Sequence, residues 1–254
     1  MNRCLIVELG RIGYAEAWAL QKRVVAARKA GAMEDVLLLC EHPHVITLGR
    51  NGKREHLLAS EELLRERGVE VQATDRGGDI TYHGPGQLVG YPLLNLGAIR
   101  RDVVWYVRTL EEAMIRATAE LGLAAGREAG KTGVWVAAKK DAAAGAQSVP
   151  GEAEPSEKLA AIGVHISRWV TSHGFAYNVA TDLRYFELIV PCGIAGRKAT
   201  SLEKLLGRRV ERAEIAPRIV RHFGEVFGLE MQSAGRGELL ERLEACEQLA
   251  AVSA

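Results

Sequence analysis

Apolar and polar residues alternate or recur at helical spacing along most of the chain, and these two periods predict strands and helices. Short apolar runs at residues 3–9 and 36–41 are typical of buried strands. Between them, apolar residues recur near helical spacing from residue 14 to residue 30, among them Tyr14 and Trp18. We therefore expect a helix that covers a sheet near the N-terminus.

The remaining patterns mix the two periods without the regular alternation of strand and helix that is typical of a doubly wound sheet. Further strand-like runs are present at residues 69–73, 132–137, 158–166 and 174–179. Helical spacing returns near the end of the chain, at residues 213–227 and 237–249. The order of these runs predicts an α+β fold, with mixed sheets flanked by helices.

Polar side chains that can bind the first free N–H groups of a helix mark three predicted helix starts. Ser60, followed by two glutamates, begins one helix, and Asp102 begins another that extends to about residue 121. Residues 200–203 read Thr-Ser-Leu-Glu, which is the pattern of a capping box that opens a short helix.

One segment differs in composition from the chain around it. Residues 138–157 read AKKDAAAGAQSVPGEAEPSE, with few large apolar side chains, so this segment buries too little surface to order itself. A strand pattern resumes directly at Lys158. We predict a single domain over residues 1–254, with a mobile surface insertion at 138–157 and a C-terminal helix at 235–254 that has no assigned function.

Composition places the chain among globular proteins that dissolve in water. Hydrophobic residues make up 48% and charged residues 26%, and the 33 basic and 32 acidic residues nearly cancel. This balance argues against nucleic acid or a membrane as the partner. The first apolar run ends at Glu8, too early for a secretory signal, and no later run is long enough to span a bilayer. We expect a cytoplasmic protein.

The four cysteines are scattered without the CxxC spacing of a zinc site, and the pattern predicts no disulfide framework. Three of them, Cys4, Cys40 and Cys246, lie in strand or helix patterns and are expected to pack as small apolar side chains. Cys192 differs, because a proline precedes it and a glycine follows it in the run LIVPCGI at residues 188–194. Its thiol is a candidate nucleophile.

A nucleophilic cysteine needs a cation or a base beside it, because a free thiol with a pKa of about 8.5 is mostly protonated at neutral pH. Candidate partners for Cys192 are His83, His173, Lys158 and Lys198. The local pattern does not choose among them.

The most unusual stretch is RGGDITYHGPGQLVGYPLLN, residues 76–95. Its glycines allow close backbone approach or positive φ, and Arg76, His83 and Gln87 supply polar side chains. One interpretation is a loop that faces a ligand, and the other is a set of turns that joins two strands. The glycine spacing matches neither a dinucleotide-binding nor a phosphate-binding loop.

His42 and His44 have a spacing that could bind a metal ion. No third ligand lies nearby in sequence, and Pro43 favours a turn. We therefore predict no metal site.

Three separated motifs and a fourth element stand out along the chain. They are residues 76–91 (RGGDITYHGPGQLVGY), 158–179 (KLAAIGVHISRWVTSHGFAYNV) and 190–202 (VPCGIAGRKATSL), joined by EHPHVITLGR from Glu41. Together they resemble the motifs of the octanoyltransferases of lipoate synthesis, and they follow the order of that family from the first strand to the helix after Leu202.

The resemblance implies the fold of the biotin and lipoate protein ligases, with the acyl chain in an apolar tunnel. It also implies a reaction, in which an octanoyl group moves from acyl carrier protein to a lysine of a lipoyl domain. The acceptors would be 2-oxoacid dehydrogenase acyltransferase subunits and the glycine cleavage H protein. No cofactor is expected, because exchange between thioesters is nearly isoenergetic and conversion of a thioester to an amide is downhill. We expect a monomer.

The resemblance also implies the site residues. Cys192 would be the nucleophile that carries the acyl thioester, and Lys158 would be its partner. An ammonium group at Lys158 would favour the thiolate of Cys192. The acyl site would be lined by Arg76, Gly77, Gly78, Asp79, Ile80, Thr81, Tyr82, His83, Ala161, Ile162, Gly163, Gly174, Phe175 and Ala176.

A base must deprotonate the incoming lysine in the second half of the reaction, because an ammonium group does not attack a carbonyl carbon. Lys158 is our candidate, with His83 orienting or sharing the proton. The local Pro-Cys-Gly turn suggests that the N–H groups of Gly193 and Ile194 stabilise the oxyanion.

Two alternatives remain open. An ATP-dependent lipoate or biotin protein ligase would activate a free carboxylate and would not need the cysteine in VPCGI. A non-catalytic module that binds acylated protein would use the glycine-rich stretch as a binding surface only.

Overall fold

The computed structural model describes residues 2–137, 156–190 and 198–252. Cys192, Gly193 and Ile194 lie outside the described residues, as does the predicted insertion up to residue 155. The described strands are β1 (Asn2–Arg11), β2 (Asp35–Glu41), β3 (Val45–Leu48), β4 (Glu70–Ala73), β5 (Ile80–His83), β6 (Gln87–Leu93), β7 (Ala125–Gly126), β8 (Val134–Ala137), β9 (Ser156–Ser167), β10 (Val170–Asn178) and β11 (Leu229–Ala234).

The helices alternate irregularly with these strands, as the α+β prediction requires. They are α1 (Tyr14–Lys29), α2 (Glu61–Glu66), α3 (Leu96–Ile99), α4 (Val103–Ala119), α5 (Leu202–Leu206), α6 (Arg212–Phe227) and α7 (Arg236–Val252), with short 3₁₀ helices at Arg54–His56 and Leu183–Leu188. None of the helices in the described ranges combines the length and the apolar character needed to cross a bilayer.

A mixed sheet of eight strands forms the centre of the protein, in the order β11-β1-β2-β6-β10-β9-β8-β7. Strand β1 is parallel to both of its neighbours, whereas the pairs from β2 to β7 are antiparallel. Strand β2 is buried on both faces: Leu37 and Leu39 pack with α4 and α6, and Leu38 packs with α1 and α7. The sheet is therefore the middle layer between two pairs of helices, and the predicted fold class is confirmed.

A second sheet of three strands, in the order β4-β3-β5, has a small core of its own. Ile46 and Ile80 are buried there with Tyr82. Leu188, the last residue of the second 3₁₀ helix, and Ile189, which follows it, pack in the same core. The glycine-rich stretch links the two sheets, because its first strand, β5, belongs to the small sheet and its second strand, β6, belongs to the large sheet.

Two of the three predicted helix caps are confirmed. Ser60 accepts a hydrogen bond from the N–H of Leu63, and Asp102 accepts one from the N–H of Trp105. The capping box predicted at residues 200–203 is wrong, because the cap is Ser201, which accepts from the N–H of Lys204.

The reason for this shift is that Thr200 is held in an extended segment. Its N–H donates to the carbonyl oxygen of Lys158 at 2.9 Å, and its own carbonyl oxygen accepts from Asn178 at 3.0 Å. The helix α5 therefore begins only at Leu202.

The glycine-rich stretch at residues 76–95 contains a turn followed by two strands, β5 and β6. The predicted boundaries of the insertion and of the C-terminal helix also move. Ser156 and Glu157 belong to β9, and α7 begins at Arg236, after Gly235.

Candidate active site

A cavity of about 410 Å³ lies where the glycine-rich turn meets the middle of β9 and β10. Most of the predicted acyl-site residues line it, together with Lys158 and His83. The predicted residues on its wall are Arg76, Gly77, Gly78, Asp79, Ile80, Thr81, His83, Lys158, Ala161, Ile162, Gly163, Gly174, Phe175 and Ala176.

Tyr82 is the predicted residue that does not reach the cavity. Its side chain points into the core of the small sheet, where the ring stacks on Tyr185 at a centroid distance of 5.0 Å. Neighbouring side chains of a strand face opposite sides, so the alternation that brings Thr81 and His83 to the cavity turns Tyr82 away from it.

The glycine-rich turn contacts β9 backbone to backbone. The N–H of Gly77 donates to the carbonyl oxygen of Val164 at 2.9 Å. A Cβ atom on Gly163 would lie 2.8 Å from the carbonyl oxygen of Gly77, closer than real Cβ contacts. Glycine at position 163 therefore allows the turn to lie directly on the strand.

The side chain of Arg76 shapes this turn from inside. It is buried, and its guanidinium donates to the carbonyl oxygen of Thr47 at 2.6 Å, to the hydroxyl of Thr47 at 3.1 Å and to the carbonyl oxygen of Asp79 at 2.8 Å. A guanidinium that binds backbone oxygens in this way orders the turn on β3. The arginine that we predicted to line the acyl site thus also supports the wall of the cavity.

His83 is buried among aromatic rings where it lines the cavity. Its ring stacks on Tyr14 at a centroid distance of 5.9 Å and meets His42 edge-on at 6.0 Å. Burial lowers the pKa of His83 to about 3, and the neighbouring His42 and Arg76 add to this effect. At neutral pH the imidazole is uncharged.

Lys158 lies at the other side of the cavity, on β9. Its Nζ stands over the ring of Trp135 at 4.6 Å from the centroid, and Nζ of Lys131 stands over the same ring at 5.4 Å. Its backbone N–H donates to the carbonyl oxygen of Lys198 at 3.0 Å. Lys158 is therefore bound to the first described residue after the segment that contains Cys192.

The other end of that segment is also anchored among the described residues. The N–H of Val190 donates to the carbonyl oxygen of His56 at 2.8 Å, and Ile189 bridges to Leu57. His56 in turn contacts Asp79 of the glycine-rich turn, with 2.5 Å between Nδ1 and Oδ2. The chain on both sides of the Cys192 segment is thus attached to the walls of the cavity.

His173, another candidate partner of Cys192, lies at the far end of the cavity. It pairs with Val164, six residues along β9 from Lys158, which corresponds to roughly 20 Å of strand. Its Nε2 contacts Oδ1 of Asp75 at 2.6 Å, and burial lowers its pKa in spite of this carboxylate. The structure therefore separates His173 from Lys158.

Of the three cysteines that were expected to pack as small apolar side chains, two are fully buried. Cys4 and Cys40 have no exposed surface, and burial raises the pKa of each thiol well above its usual range. Cys246 is partly buried, and its thiol lies 3.3 Å from the carbonyl oxygen of Ala32.

The histidines considered as metal ligands are both engaged in hydrogen bonds. Nδ1 of His42 donates to the carbonyl oxygen of Ile12 at 2.7 Å, and its Nε2 contacts the hydroxyl of Tyr91 at 2.7 Å. Nδ1 of His44 contacts the hydroxyl of Tyr82 at 2.7 Å. Both imidazoles thus connect strands and loops of the scaffold.

Comparison with known proteins agrees with this arrangement. Residues 13–224 match the lipoyl protein ligase A/B catalytic domain family. An octanoyltransferase of Solibacter usitatus is 51% identical over 231 residues, which cover 91% of this chain and 96% of the relative. An octanoyltransferase of Acidobacterium capsulatum is 48% identical over 96% of this chain and 98% of its own. The chain belongs to the octanoyltransferase family.

The fold of this octanoyltransferase-family enzyme recurs in a solved structure. A bi-partite lipoate protein ligase from Thermoplasma acidophilum superposes with a TM-score of 0.69 over 98% of this chain and 92% of its own, at 15% sequence identity. The similarity at that identity concerns the fold alone. The predicted biotin and lipoate ligase type of architecture is confirmed by it.

Several residues that line the cavity of this octanoyltransferase-family protein were not predicted as site residues from the sequence. Tyr14, Lys131 and Trp135 line it, but none belongs to a recognisable motif. Tyr14 is the first residue of a helix, and Trp135 lies in an ordinary strand. No sequence signal distinguishes them, since only the pairing of β8 with β9 brings Trp135 opposite Lys158.

Proposed function

We infer that the chain transfers an octanoyl group from octanoyl-acyl carrier protein to a lysine of lipoyl domains through a thioester on Cys192. The acceptors are 2-oxoacid dehydrogenase acyltransferase subunits and the glycine cleavage H protein. The enzyme acts in the cytoplasm as a monomer, as the first step of lipoate synthesis on proteins. The observation that carries this proposal is the attachment of Lys158 to Lys198, which follows Cys192 in the chain by six residues.

The first half of the reaction needs a thiolate. The Sγ atom of Cys192 attacks the carbonyl carbon of the octanoyl thioester and a new C–S bond forms. The C–S bond to the carrier breaks with its electron pair on sulfur, and the carrier thiol leaves with a proton taken from the ammonium group of Lys158. An ammonium group at Lys158 favours this thiolate, because an opposite charge nearby stabilises the ionised form. The N–H groups of Gly193 and Ile194 are our candidates for stabilising the oxyanion.

The walls of the cavity suit an aliphatic chain. Val89, Ile162 and Phe175 supply apolar surface on three different strands. Burial of each methylene group in such a site contributes about 0.8 kcal/mol. The octanoyl chain therefore lies along the middle of β9 and β10, under the glycine-rich turn.

The second half of the reaction needs a neutral amine. Its nitrogen attacks the thioester carbon, the C–N bond forms, and the C–S bond to Cys192 breaks with the electron pair on sulfur. Lys158 carries the proton from the amine to this sulfur, and His83 assists by orienting the amine. An amide on the acceptor and a free thiol on Cys192 result.

Intact mass spectrometry after mixing with octanoyl-acyl carrier protein tests the covalent intermediate. We expect one octanoyl adduct without added nucleotide, mapped to Cys192 and removed by hydroxylamine. The Cys192→Ser variant should not form this thioester, whereas Cys246→Ser, at a partly buried cysteine on α7, should form it normally.

Three results would exclude parts of the proposal. Transfer by a protein that never carries the adduct would exclude the thioester on Cys192. A strict requirement for ATP and free octanoate would instead assign a ligase reaction. Binding of octanoylated carrier without any turnover would indicate a non-catalytic module.

A further inference from the structure

A chain of side-chain amides connects His83 with the backbone beside Lys158. Nδ1 of His83 lies 2.8 Å from Oε1 of Gln87, and Nε2 of Gln87 lies 2.9 Å from Oδ1 of Asn178. Nδ2 of Asn178 then lies 3.0 Å from the carbonyl oxygen of Thr200. All three side chains are buried, so water does not compete for these contacts.

The backbone carbonyl groups of Thr200 and Tyr82 determine the direction of each hydrogen bond in this series of side chains. A carbonyl oxygen accepts only, so the amide nitrogen of Asn178 must face Thr200, and its amide oxygen must face Gln87. The amide nitrogen of Gln87 donates to that oxygen and also lies 3.3 Å from the carbonyl oxygen of Tyr82. The oxygen of Gln87 is therefore left to face His83.

The orientation of Gln87 has a direct consequence for the imidazole. Because the amide oxygen of Gln87 can only accept, Nδ1 of His83 must carry the hydrogen atom. The buried ring is uncharged, so its Nε2 carries a lone pair and no hydrogen atom. Within residues 2–137, 156–190 and 198–252, no hydrogen-bond partner reaches this Nε2, and His83 lines the cavity.

We propose that Gln87 and Asn178 hold His83 in the tautomer with hydrogen on Nδ1, so that Nε2 accepts an N–H of the attacking lysine of the acceptor domain. This assignment rests on the proposed function. The amine keeps its lone pair directed at the thioester carbon while its N–H is bound to Nε2. His83 remains neutral, and the proton released from nitrogen passes through Lys158 to the leaving sulfur of Cys192.

The opposite tautomer would hinder the reaction. With hydrogen on Nε2, the ring would present a donor to the cavity and would meet the N–H groups of the amine with like polarity. Gln87 and Asn178 are thus positioning residues for His83. Because Thr200 also binds the backbone of Lys158, the same segment places His83 and Lys158 relative to each other.

NMR of the ¹⁵N-labelled wild-type protein tests the tautomer without any substrate. We expect a pyrrole-type shift for Nδ1 of His83 and a pyridine-type shift for Nε2 at neutral pH, assigned by their loss in His83→Gln. A pyrrole-type Nε2, or averaged shifts for the two nitrogens, would overturn the proposal. This result does not depend on how any other variant folds.

The Gln87→Leu variant tests the link between tautomer and reaction. We expect the fixed tautomer to be lost, and octanoyl transfer from preformed octanoyl-enzyme to a lipoyl domain to slow at least about tenfold. Formation of the octanoyl-enzyme should change less than about threefold, because His83 acts only in the second half. Gln72→Leu, on the edge strand β4, should leave both rates and the tautomer unchanged.

These experiments distinguish a failure of the inference about His83 and Gln87 from a failure of the proposed function. A retained tautomer in Gln87→Leu, or a lost tautomer with an unchanged transfer rate, would overturn the role of Gln87. Absence of any octanoyl adduct on wild-type Cys192 would instead refute the proposed function, and the NMR spectrum of His83 would still report the tautomer. A normal adduct with the wrong tautomer would refute this inference alone.

Discussion

The backbone N–H of Lys158 donates a hydrogen bond of 3.0 Å to the carbonyl oxygen of Lys198, which joins two segments 40 residues apart in sequence. One segment begins the second sequence motif and the other belongs to the third. Thr200 strengthens the junction by donating to the carbonyl oxygen of Lys158. Lys158, the candidate base, thus forms a short parallel β-bridge with Ala199. This bridge sets the backbone position of Lys158 independently of its long side chain.

Removal of the amine at position 158 should slow the first half of the reaction. We expect Lys158→Ala to reduce the rate of octanoyl-enzyme formation by about 10²-fold or more at neutral pH. The loss should shrink above about pH 8.5, where solvent hydroxide ionises a thiol without help. Time-resolved intact mass measurements over a range of pH provide both values.

Lys22→Ala is a matched control for that variant, because Nζ of Lys22 also stands over a tryptophan ring, at 4.8 Å from the centroid of Trp18. Its rates should equal those of the wild type. An unchanged rate in Lys158→Ala across neutral pH would contradict the role of Lys158 as activator.

Glycine at position 163 should be required for the shape of the cavity. We expect Gly163→Ala to displace the glycine-rich turn, since its Cβ would lie 2.8 Å from the carbonyl oxygen of Gly77. Overpacking of this kind costs about 1–3 kcal/mol of unfolding free energy. Denaturant unfolding should show that loss, and the KM for octanoyl-carrier protein should rise.

A second glycine provides the comparison. Gly126 also lies in a strand, β7, but its Cβ would meet nothing within 4 Å. Gly126→Ala should therefore keep the wild-type stability within about 0.5 kcal/mol. Equal stabilities and equal KM values for the two alanine variants would mean that the turn is not held on β9 as described.

Loss of the several guanidinium donors of Arg76 should destabilise the glycine-rich turn even when the positive charge is kept. We expect Arg76→Lys to lower the free energy of unfolding by about 2–4 kcal/mol, because one ammonium group cannot replace the separate donors to Thr47 and Asp79. Urea unfolding measures the change. Arg50→Lys, at an exposed arginine, should be neutral, and equal stability of both variants would refute this role.

Buried neutral imidazoles should make the protein sensitive to acid. Because burial lowers the pKa of His83 to about 3, the unfolded chain binds more protons at this site than the folded protein between about pH 6.5 and pH 3. Stability contributed by the neutral ring is therefore complete above about pH 6.5 and falls as the pH decreases.

The His83→Gln variant should show a shallower loss of stability over that range. Unfolding midpoints in urea at a series of pH values provide the comparison. His222→Gln, at a histidine paired with Glu120 on the protein surface, serves as the control. An identical pH slope in wild type and His83→Gln would contradict the buried neutral state of His83.

Thiol reactivity should separate the cysteines by burial. Cys4 and Cys40 are fully buried with raised pKa values, so iodoacetamide at about pH 8 should leave both unmodified in the folded protein. With four cysteines in the chain, native protein should take up at most two labels and urea-unfolded protein four. Labelling of Cys4 or Cys40 in the native state would mean that the core opens near neutral pH.

Local sequence patterns were sufficient for elements whose stability is local. The helix that follows Asp102 was predicted with its cap, because the aspartate binds an N–H group only three residues away. The helix α5 was placed one residue early, because Thr200 has a partner on β9 that no local pattern reveals. The strands β5 and β6 were not predicted as such, because the glycines among them, which allow close packing, interrupt the strand pattern.

The residues that line the cavity also divide into those that sequence motifs predicted and those that only the tertiary structure brings there. Motif order was sufficient to group the glycine-rich turn, Lys158 and Gly163, and the structure places all of them around one cavity. It could not include Trp135, which the pairing of β8 with β9 brings opposite Lys158, or Lys131, which precedes β8 in the chain. Nor could it show that Tyr82 turns away, since the register of β5 is set by β3.

By itself, the sequence determined the family, the order of the motifs and the residue types available for acyl transfer. These follow from side-chain chemistry and from patterns within a few residues. Only the tertiary structure decided which polar groups face one another: Arg76 on the carbonyl of Thr47, and Gln87 between His83 and Asn178. Such contacts depend on strand register across distant segments, and one residue of slip would turn each side chain to the opposite face.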